Sequence, residues 1–434
     1  MLQTCFARER GNCGIQQACF AGAEGSCEVP RRPPGPGAAS SYFYGMNFTA
    51  PSAPAYAYFD NAATTPLDPE VLEAMLPFLS QHHGNPSSLH GPGRQVRAAL
   101  ENARKTVAHL LNAAPAEISF TSGGTEANNY AAFGSIRTLG LKHAITSRLE
   151  HHAVLHPLQA LAKSGEIELH YLKHTAQGQL DLAHLEELLA GQSRTFVSVM
   201  HANNEIGNLN DIAAIGGICA RYDAVFHSDT VQTMGHYRHD VQQLAPHFLV
   251  GSAHKFHGPK GVGFLYTRSG VRVSPLIHGG SQERNVRSGT ENVYGIVGLA
   301  KALEIAIRNL AAHQAHVQGL KTRFIDKLRA EVGDVRFNGL SEHADQSLYT
   351  VLSVSLPPSP ITEMLLFNLD ISRVAASGGS ACTSGAQAGS HVLEALGCDP
   401  ERGTVRFSMS KMNTAAEVDY AVEQLAKLYR PVTA

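Results

Sequence analysis

The chain has 434 residues, 43% hydrophobic and 17% charged, too long for one average domain and too apolar for a disordered chain. Its 35 Lys and Arg stand against 37 Asp and Glu, a net charge of −2, so no basic field exists to hold a phosphate backbone and nucleic acid is excluded as a main partner. No apolar run reaches the roughly 20 residues of a membrane helix, and the expectation is a cytoplasmic protein without membrane association.

Residues 1–55 contain Arg31-Arg32-Pro33-Pro34-Gly35-Pro36-Gly37 and Ala50-Pro51-Ser52-Ala53-Pro54, which do not support regular structure. They read as a loose or non-native extension, with Met46 an alternative initiator. Cys5, Cys13, Cys19 and Cys27 lie here without a Cys-x-x-Cys pair, so a zinc ribbon is disfavoured. The seven cysteines as a whole read as reduced thiols.

From Tyr58 onward, strand and helix patterns alternate, as in parallel α/β units. Strands are expected at 117–121, 143–146, 168–172, 195–200, 224–227 and 247–250. A helix is expected over 95–111, and another opens at Gly123. Together these make one large doubly wound sheet. A long helical stretch over 291–332 then leads to strands at 348–356 and 404–409 and helices at 361–368 and 414–428. The fold class is therefore α/β, with a large, mostly parallel sheet domain over 56–310 and a smaller C-terminal α/β domain over 311–434.

Several segments sit where such sheets carry ligands, at the carboxyl ends of strands. Ser122-Gly123-Gly124-Thr125 joins a strand to a helix start, whose free N–H groups and dipole suit a phosphate; a plain turn is the competing reading. Asp229 ends a strand, where it either caps a helix or pairs with a cationic ring nitrogen. Some twenty residues on, Ser252-Ala253-His254-Lys255 places an amine just after another strand. A lysine for a Schiff base, a carboxylate for a pyridinium nitrogen and a Gly-Thr phosphate cradle, in that chain context, are the parts of a pyridoxal phosphate site.

Glu150-His151-His152 precedes a helix, and an imidazole there suits ring stacking or proton movement. His152 and His156 share a helix face, but without an accompanying carboxylate pattern a metal is the weaker reading, and no metal is expected. His236, His239, His313 and His316 are expected to be solvated. Cys382 is embedded in small residues from Ser377 to Gly385, as an exposed reactive thiol would be. Cys219 and Cys398 look structural. Arg406 lies on a strand and suits a substrate carboxylate.

These stretches, with Tyr58-Phe59-Asp60-Asn61-Ala62-Ala63-Thr64-Thr65-Pro66, Gly84-Asn85-Pro86-Ser87-Ser88, Met200-His201-Ala202-Asn203-Asn204-Glu205-Ile206-Gly207 and Arg287-Ser288-Gly289-Thr290, closely resemble the group I cysteine desulfurases. That resemblance, over about Tyr58 to Arg430, implies a fold type I pyridoxal 5'-phosphate enzyme. Lys255 would hold the cofactor, Asp229 would pair with its ring nitrogen, Gln232 would bond its ring hydroxyl and His151 would stack on it. Gly124, Thr125, Ser252 and His254 would hold the phosphate, and Thr290 would reach it from the other subunit of a homodimer. Asn204 and Arg406 would bind the carboxylate of L-cysteine, Lys255 would move the α-proton, and Cys382 would take the sulfur as a persulfide while alanine leaves. A sulfur acceptor, such as an iron–sulfur scaffold protein, would be the partner.

Gly378, Ser281 and Ser410-Lys411 depart from the family's usual Ser, Gly and Gly-Arg, and none of these removes a catalytic part. A related aminotransferase, a selenocysteine lyase and a silent relay scaffold remain as alternatives.

Overall fold

The computed structural model describes residues 56–378 and 389–429. The N-terminal extension and Cys382 lie outside the described residues.

Twelve strands are described: β1 (Ala57–Tyr58), β2 (Ile118–Thr121), β3 (His143–Thr146), β4 (Glu168–Tyr171), β5 (Thr195–Ser198), β6 (Val225–Asp229), β7 (Phe248–Ser252), β8 (Gly263–Thr267), β9 (Arg336–Phe337), β10 (Val351–Ser355), β11 (Val374–Ala375) and β12 (Thr404–Ser408). Seven form one sheet in the order β2-β8-β7-β6-β5-β3-β4. Strands β3 to β7 pair in parallel, whereas β8 runs antiparallel to both of its neighbours.

The central strands β5, β6 and β7 are buried along their whole length. That is why Thr195-Phe196-Val197 and Phe248-Leu249-Val250 read as unbroken rather than alternating apolar runs: helices cover both faces. On one face Phe120, Phe264 and Leu249 pack with Val107 and Leu303. On the other, Phe196, Val250 and Leu265 pack with Tyr130 and Leu158. The edge strand β4 is the least buried.

The 291–332 stretch is two helices, Val293–Arg308 and Leu310–Glu331. They part at Asn309, whose backbone (φ −105°, ψ 14°) leaves the helical range. The first packs beneath the large sheet. The second packs with helix Ala415–Tyr429 on the three-stranded sheet β12-β10-β9. Leu328, Leu352, Val405, Phe407 and Val422 are all buried there, as helical and strand periodicities that meet on one face require. Among the described residues no helix is long and apolar enough to cross a membrane.

The expectation that His236 and His239 are solvated is wrong. His239 is buried against His201 and Thr233, and His236 lies against Tyr349 Oη at 3.0 Å. Burial lowers the imidazole of His236 to about 4 and that of His239 further still. Cys219 is buried as expected, its thiol pushed up to about 12.

Candidate active site

Strands β6 and β7 end side by side, so their last residues and the segments that follow share one crevice. Asp229 is the last residue of β6, and Ser252 ends β7 directly before the short turn Ala253–Lys255. The wall opposite comes from Gly124–Asn129, the start of a helix after β2. His151 closes the crevice from the N-terminus of helix His152–Lys163.

These segments line a cavity of about 270 Å³ whose walls include Gly124, Thr125, His151, Asn204, Asp229, Gln232, Ser252, His254, Lys255 and Arg406. Every expected site residue within the described part of the chain lies here except Thr290. That residue sits in a separate hollow with Arg287 and Glu291.

Lys255 Nζ donates to the Ala62 and Ala63 carbonyls at 2.5 and 2.9 Å, and Gln232 Nε2 donates to Ala62 O at 3.1 Å. The Tyr58–Pro66 segment therefore contributes backbone carbonyls that aim the amine. Asp229 is held from two sides: its Oδ1 accepts from Val231 N at 2.9 Å and its Oδ2 from Asn128 Nδ2 at 2.7 Å. Asn128 stands four residues after Gly124, one helical turn on and hence on the same face.

His151 caps its own helix: Nδ1 accepts from Ala153 N–H at 3.0 Å. That bond requires an unprotonated Nδ1, so in the neutral ring the proton is on Nε2. Burial lowers the His151 pKa, and the Lys255 ammonium adds to the effect against the opposing pull of Asp229. Behind it, Glu150 is buried, with Oε1 accepting from Met200 N at 2.6 Å. Burial pushes its carboxyl well above the usual range, with the Asp229 charge adding to the rise. His254 is lowered to about 4, chiefly by burial and then by Lys255 and Lys260.

Arg406 enters from β12. Its Nη1 donates to Asn204 O at 2.9 Å and its Nη2 to Asp60 Oδ1 at 2.9 Å, while Nε is buried without a hydrogen-bond partner. Asn204 is presented by a tight turn. Asn203 Oδ1 accepts from the N–H groups of Glu205 and Ile206, and Gly207 adopts φ +76°, a left-handed backbone that suits glycine.

The chain matches the family model described as aminotransferase class-V over residues 57–421. It is 43% identical to the cysteine desulfurase IscS of Dictyoglomus turgidum over 381 residues, 86% of this chain and 94% of that protein. The IscS cysteine desulfurase of Clostridium botulinum strain Hall is 41% identical over 378 residues, 86% of this chain and 94% of its own. Among solved structures, a NifS-like protein superposes with a TM-score of 0.79 at 36% identity, covering 86% of this chain and 99% of the other.

The chain belongs to the cysteine desulfurases of the class-V aminotransferase family.

Cysteine desulfurases of this family depend on pyridoxal phosphate, and the cavity's donor set fits that group. Thr125, Ser252, His254 and the helix start at Gly124 all line the cavity, and hydroxyls, an imidazole and free helix-start N–H groups are a set suited to a phosphate dianion. A Cβ on Gly124 would meet Val231 Cγ2 at 2.7 Å, so the cradle has no room for a larger residue unless Val231 shifts. The Asp229 carboxylate, fixed by Asn128, suits a protonated ring nitrogen, and the Lys255 amine suits an aldehyde carbon.

The sequence motifs singled out side chains that line the cavity and missed those that hold them in place: Asn128, Glu150, Asp60 and the Ala62 and Ala63 carbonyls. Only Asn128 had a readable signal, its helical spacing from Gly124. Lys411, one of the departures from the family pattern, forms an ion pair with Asp68. His152 and His156 stack face to face with centroids 4.6 Å apart.

Proposed function

We propose that the protein removes sulfur from L-cysteine, releasing L-alanine and leaving a persulfide on Cys382 for delivery to an acceptor protein. The observation that carries this reading is the convergence of Lys255, Asp229, Gln232, His151, Asn204 and Arg406 on one cavity, in a chain whose relatives are cysteine desulfurases.

Lys255 would hold the cofactor covalently, with Asp229 at the ring nitrogen, Gln232 at the ring hydroxyl, His151 on the ring face, and Gly124, Thr125, Ser252 and His254 at the phosphate. When bound, pyridoxal phosphate supplies an electron sink that acidifies the α-proton of the amino acid.

The chain's own groups do the rest. Arg406 and Asn204 grip the substrate carboxylate, which fixes the direction in which the Cα–H bond points. Lys255 Nζ, once released, takes the α-proton as general base. His151 stays neutral and offers its Nε2 for proton exchange on the cavity side. The Cys382 thiolate attacks the substrate sulfur; the new S–S bond forms as the C–S bond breaks. The electron pair stays with the carbon skeleton, which is protonated and leaves as alanine.

The finer reading is a homodimer in the cytoplasm, with Thr290 completing the partner subunit's phosphate site and an iron–sulfur scaffold protein as acceptor. The position of Thr290 outside the cavity of its own chain favours a role across a subunit boundary. The residue roles are tested by intact-mass analysis of cofactor-loaded protein after incubation with L-cysteine and no reductant. One added sulfur on the Cys382 peptide supports the reading; added sulfur on other cysteines only overturns it.

A further inference from the structure

The largest cluster of metal-type ligands among the described residues lies away from the cavity, on the edge of the large sheet. Strands β3 and β4 pair in parallel with His143 opposite Glu168 and Ile145 opposite His170. Opposed residues share a face and the side-chain period is two, so His143, Glu168 and His170 project together.

The side chains converge as the register requires. Glu168 Oε2 lies 3.8 Å from His143 Nδ1, and Oε1 lies 3.5 Å from His170 Nε2. The two rings are roughly parallel, with centroids 6.1 Å apart. One ligand atom from each residue falls within 4.8 Å of the others. Both of these ring nitrogens are buried and have no hydrogen-bond partner. Two ring nitrogens shielded from solvent without a partner, beside one carboxylate, are costly unless something fills the space between them.

We propose that His143 Nδ1, His170 Nε2 and the Glu168 carboxylate bind one divalent ion of the zinc class, with water completing its shell. Zn–N and Zn–O bonds of about 2.0–2.2 Å set ligand atoms about 3.3 Å apart in a tetrahedron. The observed nitrogen–oxygen separations are 3.5 and 3.8 Å, to the two oxygens of the carboxylate, and the ligand atoms all lie within 4.8 Å of one another, so side-chain rotation that closes the widest gap by at most about 1.5 Å completes the site. Two imidazoles with one carboxylate suit zinc, cobalt or nickel rather than magnesium or calcium, which prefer all-oxygen shells. The Glu168 side chain is 66% exposed, so it adjusts at little cost. The ion would tie β4, the edge strand, to β3 near the amino ends of both, whereas Asp229 and Ser252 end their strands at the carboxyl side. Its role is to hold an edge strand, and the reaction does not need it.

Spectroscopic titration with Co2+ tests the proposal on the full-length, cofactor-loaded, untagged protein after chelator treatment. Imidazole and carboxylate ligands give d–d bands without the sulfur-to-metal charge transfer that a cysteine site shows. The expected result is one equivalent of Co2+ with this nitrogen–oxygen signature in wild type and in Cys382→Ala. Binding should weaken at least tenfold in His170→Ala and in the exposed-site variant Glu168→Gln, with alanine release from L-cysteine unchanged in both. The proposal is overturned if Co2+ does not bind, if its spectrum shows only sulfur ligation, or if both variants bind it as wild type does.

Discussion

Arg406 Nη2 and Asp60 Oδ1 are 2.9 Å apart, joining a strand of the small sheet to the segment that aims Lys255. The guanidinium is buried, so Asp60 both neutralises it and fixes its plane. Removing one member of a buried charged hydrogen bond leaves the other uncompensated. Asp60→Ala is expected to cost about 1–3 kcal/mol in denaturant unfolding and to raise KM for L-cysteine more than it lowers kcat. Arg406→Lys, which loses the fork that spans Asn204 O and Asp60, is expected to raise KM at least tenfold. An unchanged KM in both variants would remove Arg406 from the substrate site.

Asn128 holds Asp229 Oδ2 at 2.7 Å. In Asn128→Ala that oxygen loses its donor, so the carboxylate turns more freely and pairs less well with a ring nitrogen. Cofactor affinity is expected to fall about tenfold, equivalent to about 1.4 kcal/mol, as read by titrating apoprotein with pyridoxal phosphate. Asp229→Asn should lower kcat far more than Asn128→Ala does. Equal kcat losses would argue that Asn128 acts otherwise than through Asp229.

The partly buried His151 has its pKa lowered below the ordinary histidine value of about 6.5, chiefly by desolvation. Its imidazole is thus neutral at pH 7 and takes up a proton only as pH falls through the lowered value, when Nδ1 must give up the Ala153 amide. The acid limb of kcat/KM is expected to inflect below pH 6.5, and His151→Gln should erase that inflection. An inflection above 6.5 that disappears in His151→Gln would contradict the burial argument.

Lys321 is buried in the small-sheet core, donating to Ser347 Oγ at 2.8 Å and Leu348 O at 3.0 Å. Burial lowers its ammonium to about 7 from the 10.5 of an ordinary lysine. Between those values the unfolded chain binds a proton that the folded chain does not, so stability rises with pH, by up to about 1.4 kcal/mol per pH unit. Below pH 7 both states are protonated and the contribution is flat. Lys321→Met is expected to lose that slope, as measured by denaturant unfolding from pH 7 to 10. Parallel curves for the two proteins would show that Lys321 stays charged when folded.

The strands that deliver the site were legible because Phe196 to Ser198, Val225 to Asp229 and Phe248 to Ser252 are covered on both faces and carry a strong apolar signal. Strand β8 was missed. Gly263-Phe264-Leu265-Tyr266 follows closely on the Lys255 turn and runs antiparallel, against the alternating pattern of the rest. The helical stretch expected over 291–332 is two helices, and the break at Asn309 was not legible because no Gly or Pro marks it. The side chains that line the cavity were legible through motifs, whereas Asp60 and Arg406 are 346 residues apart and their pairing is a tertiary fact. The edge cluster of His143, Glu168 and His170 depends on strand register, which the sequence does not display.

The most direct test of the central claim is alanine release from L-cysteine by purified, cofactor-loaded protein with a thiol reductant, comparing wild type, Cys382→Ala and Lys255→Ala. The account requires steady alanine from wild type and its collapse in both variants, with the Cys382→Ala protein retaining the cofactor's absorbance. Undiminished alanine release by a cofactor-loaded Cys382→Ala protein, or none from loaded wild type, would contradict it.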